Sequence, residues 1–506
     1  MAAGHSKTAE AAATVLRMGG NAFDAAIAGV LTACVAESVL TSLAGGGFLL
    51  AHTAAGDNIL FDFFSQTPRQ QCARQDLDFY PIEANFGDTT QTFHIGLGSM
   101  AVPGVWAGLL QVHRRLGRLP LSVVAEGAIA TARQGIIVTP FLAYVYQILT
   151  PILTANPAVR ALYAPKGRLL EAGDVLRMSA FAETLAHLVK HPEDLYRGDL
   201  ARQLVKDCAA GGGYLTLADL QTYQVIERTP LTVSYRGRQL LTNPPPSSGG
   251  TLIAFALQLL SKIDFAEQEH GCPKHLHCLS QVMRLTNVAR RDGYDARLYD
   301  PDIAAAFLSD MHVGPYQQTL RDVTNKLGST THLSVIDGEG NAASVTTSNG
   351  EGSAYLLPHT QIMMNNMLGE EDLNPHGFHQ WQPNQRISSM MAPTMVLQNG
   401  KPELVLGSGG SNRIRTAILQ VIANLVDFDM PLAVAVSAPR IHWENGILHL
   451  EPGLAAEPDR WSVTEHIQQI VRWPEQNMFF GGVHAVSYPA EEGAGDPRRG
   501  GVVIRI

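Results

Sequence analysis

The feature that most constrains the fold is the segment 331–348, which reads THLSVIDGEGNAASVTTS. Two runs that alternate apolar and polar residues flank a turn-forming stretch from Asp337 to Asn341. Alternation with a period of two is typical of a strand with one buried face, and such a turn between two runs is typical of a β-hairpin. The segment 393–410, PTMVLQNGKPELVLGSGG, repeats the pattern around Asn399-Gly400. The C-terminal part of the chain is therefore predicted to form antiparallel sheet.

The N-terminal half has mainly helical patterns. Ser6 or Thr8 can cap a helix that runs to about Met18, and an Ala-rich helix follows to about Glu37. Further helical patterns lie at 104–116, 120–134, 180–223, 251–262, 273–291 and 414–426. Helices early and hairpins late predict an α+β or layered fold.

Two segments before residue 251 carry other signals. Residues 232–242, TVSYRGRQLLT, alternate and predict a strand. Residues 243–250, NPPPSSGG, predict a rigid loop, because the prolines fix φ and the glycines allow close backbone approach.

Composition narrows the class of protein. The net charge of −9 and a pI near 6.0 give no basic footprint for nucleic acid. The most apolar stretch, 25–39, is shorter than a membrane span, so no membrane span is expected. Five cysteines form an odd, sparse set that favours a reducing compartment. The first 22 residues lack the pattern of a signal peptide. We therefore expect a cytoplasmic protein, or a periplasmic or secreted one if the given start is cropped.

Three short motifs suggest other chemistry. The segment 270–278, HGCPKHLHC, offers zinc-ligand residue types, but its cysteines lack a C-x2–4-C spacing, so no metal is expected. The segment 96–101, GLGSMA, fits a dinucleotide fingerprint, but Pro103 and Gly104 interrupt the helix that should follow, so no cofactor is expected. The segment 407–413, GSGGSNR, is either a tight turn into a helix or a nest of backbone N–H groups for an oxyanion.

Thr330 and Thr331 allow two interpretations. They are either a β-branched pair at the start of a strand, or Thr330 is a nucleophile. A cut between Ser329 and Thr330 would give Thr330 a free α-amine with a pKa near ~7.7. That amine can act as the base for the hydroxyl of the same residue, so no separate catalytic partner is needed.

The segment STTHLSVIDGEGNAASVT, residues 329–346, resembles the processing and nucleophile segment of the γ-glutamyltransferases, also called γ-glutamyl transpeptidases. Other segments resemble that family in the same order: GGNAFDAAIA (19–28), SLAGGGFLL (42–50), MAVPGVWAGL (100–109), PPPSSGG (244–250), IMMNNM (362–367), RISSMMAPT (386–394), GSGGSNRI (407–414), FGGVHAV (480–486) and GAGDPRRGG (493–501). The resemblance spans essentially the whole chain.

The resemblance implies an N-terminal-nucleophile hydrolase with a four-layer αββα sandwich. It implies a precursor that cuts itself into the segments 1–329 and 330–506, which associate in one domain. It places the nucleophile at Thr330 and a supporting hydroxyl at Ser348. The activity implied is cleavage of the amide bond of γ-glutamyl, glutathione-like compounds or related short acyl amides, with water or an amine accepting the acyl group.

The oxyanion hole implied by the family is the backbone of paired glycines. The loop here lacks the family's usual proline, so its register is open among Gly409, Gly410 and Ser411, and Gly410 fits best.

The acyl-binding residues depart from the family pattern. The family's carboxylate-clamping arginine corresponds to Phe64 in FDFFSQTP, whereas its paired serines are kept as Ser388 and Ser389. A charged clamp has therefore become an apolar ring.

The residues that grip the substrate amine are altered as well. The family's asparagine falls on Gly350, beside Asn349, and its glutamine falls on Met367. Its acidic residue corresponds to Glu370 or Glu371.

These departures leave several interpretations open. Neighbours such as Arg69 compensate for the lost groups, or the enzyme is an acylase or amidohydrolase for a non-glutamyl acyl group. A third alternative is an inactive homologue that is kept for binding.

Overall fold

A computed structural model describes residues 1–71, 74–85, 90–263, 265, 268–318, 330–374, 377–454 and 467–506. Its α-helices are α1 (Ser6–Arg17), α2 (Ala22–Ala36), α3 (Val105–Leu116), α4 (Leu121–Gln134), α5 (Pro140–Ile148), α6 (Thr150–Leu153), α7 (Pro157–Tyr163), α8 (Ser179–Lys190), α9 (Asp194–Arg197), α10 (Asp199–Gly211), α11 (Leu217–Thr222), α12 (Ser248–Leu260), α13 (Pro273–Ala289), α14 (Ile303–Phe307), α15 (Asp310–Gln318), α16 (Arg413–Val426) and α17 (Leu432–Ser437).

The strands described are β1 (Ala2–Ala3), β2 (Gly46–His52), β3 (Asn58–Asp62), β4 (Tyr80–Asn85), β5 (Thr90–Ile95), β6 (Ile136–Ile137), β7 (Val175–Leu176), β8 (Ile226–Arg228), β9 (Leu231–Tyr235), β10 (Arg238–Thr242), β11 (Thr331–Ile336), β12 (Ala342–Ser348), β13 (Leu356–Leu357), β14 (Ile362–Met363), β15 (Thr394–Gln398), β16 (Lys401–Gly409), β17 (Ile441–Glu444), β18 (Ile447–Leu450), β19 (Gln469–Arg472), β20 (Gly482–Ser487), β21 (Gly493–Ala494) and β22 (Val502–Val503).

Two large sheets form the centre of the molecule. One has the order β22-β1-β11-β12-β2-β3-β8, and the other has the order β21-β20-β16-β15-β10-β9. Both predicted hairpins are confirmed: β11 pairs antiparallel with β12, and β15 pairs antiparallel with β16. The alternation of the sequence thus places one face of each strand against the facing sheet.

The two sheets pack face to face and are covered by helices on their outer sides. Strands β11 and β12 contact β16, so the two hairpins meet at the centre. Helix α2 packs on β11 and β12, whereas α16 packs on β16 and β20. Helix, sheet, sheet and helix make four layers, which confirms the predicted αββα sandwich.

Two local predictions are wrong. Residues 232–242 are not one strand, because β9 and β10 form a hairpin around Arg236 and Gly237. Both turn residues have positive φ, 48° and 79°, as the two-residue turn of a hairpin requires. Arg-Gly is a weak turn signal, and here the Arg236 guanidinium pairs with Asp427.

The predicted loop 243–250 ends early, because α12 begins at Ser248. Only glycine allows the neighbouring backbone to come this close. A Cβ at Gly249 would lie 2.1 Å from the Met390 carbonyl oxygen, and one at Gly250 would lie 2.2 Å from that of Asn243. No helix among the described residues is long and apolar enough to cross a membrane.

Candidate active site

The two adjacent threonines point to opposite faces of the seven-stranded sheet. Thr330 lines a small cavity together with Ser348, Ser389 and Ser411. Thr331 instead donates its hydroxyl to Glu37 Oε2 at 2.5 Å, beneath the helical layer. Successive side chains of a strand alternate between faces, so only Thr330 is presented to the cavity.

Glu37 holds the start of β11 in place. It also accepts a hydrogen bond from the Thr8 hydroxyl at 2.8 Å, which links α1 to the strand. The carboxyl is 2% exposed, and burial raises its pKa. The sequence reasoning did not identify this residue, since nothing in the local pattern pairs Glu37 with a residue 294 positions away.

Ser348 lies directly across the hairpin from Thr330. The β11–β12 register pairs Thr331 with Thr347, so continuing it by one residue pairs Thr330 with Ser348. Opposite Cβ atoms in an antiparallel pair are about 4.5–5.5 Å apart. The Ser348 hydroxyl accepts the Gly350 N–H at 3.0 Å and lines the same cavity as Thr330.

The glycine loop after β16 passes against the backbone of Thr330. A Cβ on Gly409 would lie 2.1 Å from the Thr330 carbonyl oxygen, so only glycine permits this approach. Gly410 has a φ of 118° and Ser411 a φ of 47°. Within the described part of the chain, no acceptor takes the backbone N–H of Gly410 or Ser411. Two N–H groups without an acceptor in the described ranges, close to Thr330, are donors of the kind that an oxyanion hole uses.

Arg499 is a contact that the sequence reasoning missed. Its Nη1 donates to the Thr330 carbonyl oxygen at 3.2 Å, and its side chain packs against Gly410 and Gly482. Burial lowers the guanidinium pKa to about 10, partly offset by Asp496 and Glu37. The side chain therefore fixes the Thr330 backbone and the glycine loop to each other.

Asp372 is a second residue that contacts the site and was not predicted from the sequence. Its Oδ2 accepts the Ser411 hydroxyl at 2.5 Å, which ties the segment after Glu370 to the glycine loop. Burial raises the pKa of this carboxyl to about 6, and the Ser411 hydrogen bond opposes that rise. The strained backbone of Ser411 is thus held by a side chain 39 residues away.

The far wall of the cavity is largely apolar. Phe64 is buried and stacks on Phe48 with ring centroids 5.4 Å apart. Phe64, Met367, Leu373, Met390, Met391 and Ile414 all line the cavity. Its volume is about 20 Å³, which is room for roughly one water molecule. A substrate must therefore displace part of this wall.

Glu370 is the acidic group on the cavity wall. It is 6% exposed, and its Oε1 has no hydrogen-bond partner within the described ranges. Burial raises its pKa well above the usual range, and the carboxyls of Glu351 and Asp372 raise it further. Glu371 is exposed and does not line the cavity, so the geometry favours Glu370 of the two alternatives.

The other predicted binding residues lie at different distances from the cavity. Ser389 lines it, whereas Ser388 lines an adjoining cavity and lies 3.3 Å from the Ser248 hydroxyl. Asn349 points away, and its amide donates to the Met364 carbonyl at 3.4 Å. A Cβ on Gly350 would meet Glu370 Oε1 at 2.3 Å, so glycine leaves room for that carboxyl.

Arg69 does not replace the missing arginine. Its guanidinium binds the Thr222 hydroxyl at 2.9 and 3.1 Å on the surface. The Arg386 guanidinium reaches Phe64, but it donates to the Phe64 carbonyl and the Tyr223 hydroxyl. Its charge faces Asp62, 3.5 Å away. Arg386 thus holds the backbone of Phe64 in place.

No group of three or more His, Cys, Asp or Glu side chains in the described ranges is arranged to hold a metal. In the histidine-rich segment 270–278, His275 packs edge-on against Phe265 and Phe428. Cys272 caps the start of α13 by accepting the His275 N–H.

Comparison with known proteins adds an independent line of support. The profile of the family described as Gamma-glutamyltranspeptidase matches residues 8–506. An Acylase ACY 1 proenzyme of Pseudomonas sp. (strain SE83) is 31% identical over 505 residues, which cover 96% of this chain and 88% of the relative. The Glutathione hydrolase proenzyme of Escherichia coli (strain K12) is 30% identical over 487 residues, which cover 89% and 82%.

A solved structure shares the fold throughout. The crystal structure of cephalosporin acylase from Bacillus halodurans superposes with a TM-score of 0.87 at 26% identity, covering 99% of this chain and 95% of that one. The sandwich, the cavity at Thr330 and these relationships agree. The chain belongs to the γ-glutamyltranspeptidase family of N-terminal-nucleophile hydrolases and is an enzyme of that family.

Proposed function

We propose that the protein is a self-processing threonine amidohydrolase that acts through Thr330 on short acyl amides. The observation that carries this proposal is that the side chains of Thr330 and Thr331 lie on opposite faces of the sheet. Thr330 faces a cavity that Ser348 and Ser411 also line, the backbone N–H groups of Gly410 and Ser411 find no acceptor among the described residues, and Thr331 is bonded to Glu37.

Self-processing uses the same groups. The Thr330 hydroxyl attacks the carbonyl carbon of Ser329, the C–N bond breaks, and an ester forms while the Thr330 nitrogen takes up a proton. Water then hydrolyses the ester, which leaves a carboxylate on Ser329 and a free amine and hydroxyl on Thr330. The products are the segments 1–329 and 330–506.

Catalysis then follows from the new terminus. The free amine accepts the hydroxyl proton as the oxygen attacks the substrate amide, and the Gly410 and Ser411 N–H groups stabilise the oxyanion. The amine product leaves with the proton, and water or a second amine takes the acyl group. Ser348 stabilises the hydroxyl position from across the hairpin.

The acyl group that we propose for the substrate differs from the γ-glutamyl group of glutathione-type substrates. An α-carboxylate needs a paired charge when it is buried, and Phe64 offers none. Glu370, whose pKa is raised, can be neutral and donate a hydrogen bond to a carboxylate, as in a glutaryl group. When ionised, it can instead accept a substrate ammonium. The names of relatives include both acylases and glutathione hydrolases.

The test of the nucleophile is N-terminal sequencing of the purified chain. We expect two bands on a denaturing gel, the smaller beginning Thr-Thr-His, together with hydrolysis of acyl p-nitroanilides. Thr330→Ala is expected to remain one inactive chain. The matched control Thr331→Ser keeps a hydroxyl for Glu37 and should still process. An active wild type in which residues 329 and 330 stay joined would contradict the proposal.

A further inference from the structure

A second cavity adjoins the one at Thr330. Its volume is about 160 Å³, against about 20 Å³ for the cavity at the nucleophile. Leu373 lines both cavities and therefore forms the wall between them. The serine pair spans the same boundary, with Ser389 on the nucleophile side and Ser388 on the far side.

This position defines which part of a substrate can reach the second cavity. Because Ser389 lines the cavity at Thr330 and Ser388 lines the second cavity, an acyl group on Thr330 that extends toward the serine pair has its distal end at this boundary. Space beyond Ser388 is therefore space for an acyl chain that continues past that end. A half-buried leucine on a short 3-10 helix (Glu371–Leu373) is a wall that a side-chain rotation can open.

The chemistry of the second cavity selects an uncharged chain. Leu298, Tyr299, Trp381 and Ile387 supply apolar wall, neutral polar residues line the rest, and no lysine or arginine of the described ranges lines it. The carboxylate of Asp295 is already engaged, because both its oxygens accept from Arg290 at 2.9 and 3.0 Å. Neither a carboxylate nor an ammonium therefore finds an unpaired opposite charge there among the described residues.

One polar group in the wall is unsatisfied. The indole N–H of Trp381 is buried and has no partner in the described part of the chain, while the ring packs edge-on against Tyr214 at 5.3 Å. A buried donor without an acceptor costs free energy. An acyl chain with one oxygen placed to accept the Trp381 indole N–H would recover that cost. A cavity of about 150 Å³ accepts a benzene-sized group, so the space suits four or five methylenes or a ring.

We propose that this cavity is an acyl-chain subsite, and that the enzyme accepts amides of uncharged medium-chain or arylalkyl acids longer than glutaryl. The inference rests on the proposed acyl-enzyme at Thr330. It adds the class of acyl group that the site takes.

The experiment measures kcat/KM for p-nitroanilides of straight-chain acids with four, six and eight carbons. Each methylene that enters the cavity is expected to raise kcat/KM about two- to fourfold. Gln385→Trp would fill the cavity, because that side chain lines it while its backbone alone bonds to Thr67. The eight-to-four-carbon ratio should then fall at least about tenfold.

Two further variants keep the test decisive. Leu373→Ala removes the wall and should raise the eight-to-four-carbon ratio at least about threefold. Gln398→Trp, at the exposed end of β15, is the matched control and should leave the ratio unchanged. Hydrolysis of short anilides with no gain from chain length, and no change of ratio in either cavity variant, would overturn the subsite alone. A processed chain that cleaves glutaryl p-nitroanilide but none of the straight-chain anilides would also overturn the subsite alone, and one that cleaves neither would overturn the proposed function and the subsite together.

Discussion

The two ends of the cavity at Thr330 are built differently. At the reaction end, formed by Thr330, Ser348 and the loop 409–411, hydrogen bonds to Arg499 and Asp372 hold the Thr330 carbonyl and the Ser411 hydroxyl in place. At the recognition end, formed by Phe64, Met367 and Glu370, the walls are apolar and one carboxyl oxygen lacks a partner among the described residues. In the proposed mechanism, backbone and hydroxyl groups carry out the chemistry, and side chains that can be exchanged recognise the acyl group.

The backbone of Phe64 shows how such an exchange leaves the fold intact. Its N–H donates to Asp62 Oδ1 at 3.1 Å, and its carbonyl accepts the Tyr223 hydroxyl at 2.8 Å. The position is therefore held whichever side chain it carries. Substitutions at the reaction end should accordingly abolish activity, whereas those at the recognition end should change which acyl group is preferred.

The largest effect is expected from Gly409→Ala. The added methyl group would overlap the Thr330 carbonyl oxygen at 2.1 Å and move the nucleophile away from the glycine loop. We predict a loss of about 10²–10³ in kcat and slower self-processing. Gly314→Ala is the matched control, since a Cβ there meets nothing within 4 Å. Normal activity in Gly409→Ala would show that this loop does not serve the reaction.

Ser348→Ala is expected to have the next largest effect. Loss of the hydroxyl opposite Thr330 should lower kcat about 10- to 100-fold with little change in KM. The control is Ser344→Ala on the same strand, where the hydroxyl bonds to the Leu406 carbonyl at 2.9 Å and serves the packing of the sheets. Steady-state kinetics on both variants checks this, and equal kcat values for the two would remove Ser348 from the reaction end.

Glu370→Gln separates the two roles available to that carboxyl. Glutamine keeps a hydrogen-bond donor but cannot pair with an ammonium. We therefore expect kcat/KM for a γ-glutamyl anilide to fall about tenfold or more and that for a glutaryl anilide to change less than about threefold. A parallel loss for both substrates would mean that Glu370 acts on the reaction itself and not on recognition.

The smallest effect is expected for Asp372→Asn, on stability. Burial raises the pKa of Asp372 to about 6, above the ordinary value of 3.8. The folded state therefore binds the proton more tightly, and this contribution to stability is lost as pH rises from about 4 to 6. The asparagine variant should show a weaker fall in the free energy of unfolding over this window, by about 1–2 kcal/mol. Denaturant unfolding at pH 4 and pH 7 measures it, and parallel pH profiles would contradict the assignment.

The sequence predicted the parts of the site that lie close together along the chain or repeat a family motif. The facing positions of Thr330 and Ser348 follow from one hairpin and its turn. Arg499 and Asp372 could not be predicted in this way, because they reach Thr330 and Ser411 from 169 and 39 residues away. The hairpin at Arg236-Gly237 was missed because Arg is an uncommon residue at positive φ.

At the recognition end, too, a contact between residues far apart in the sequence could not be predicted. Phe64 could be located by its motif, but the sequence suggested Arg69 as the compensating cation. In the structure, the cation that contacts Phe64 is instead Arg386, which donates to the Phe64 carbonyl from 322 positions away in the sequence. Which cation lies near a given side chain depends on packing between sheets, and no periodicity in the sequence encodes it.

We propose that the reaction end serves an acyl group without the full amino-acid head. The ratio of kcat/KM for glutaryl p-nitroanilide to that for γ-glutamyl p-nitroanilide, measured with the processed wild-type enzyme, tests this proposal. We expect a ratio of about one or more, and a shift of about tenfold toward γ-glutamyl in Phe64→Arg. A wild-type preference for the γ-glutamyl substrate of more than about a hundredfold would contradict it.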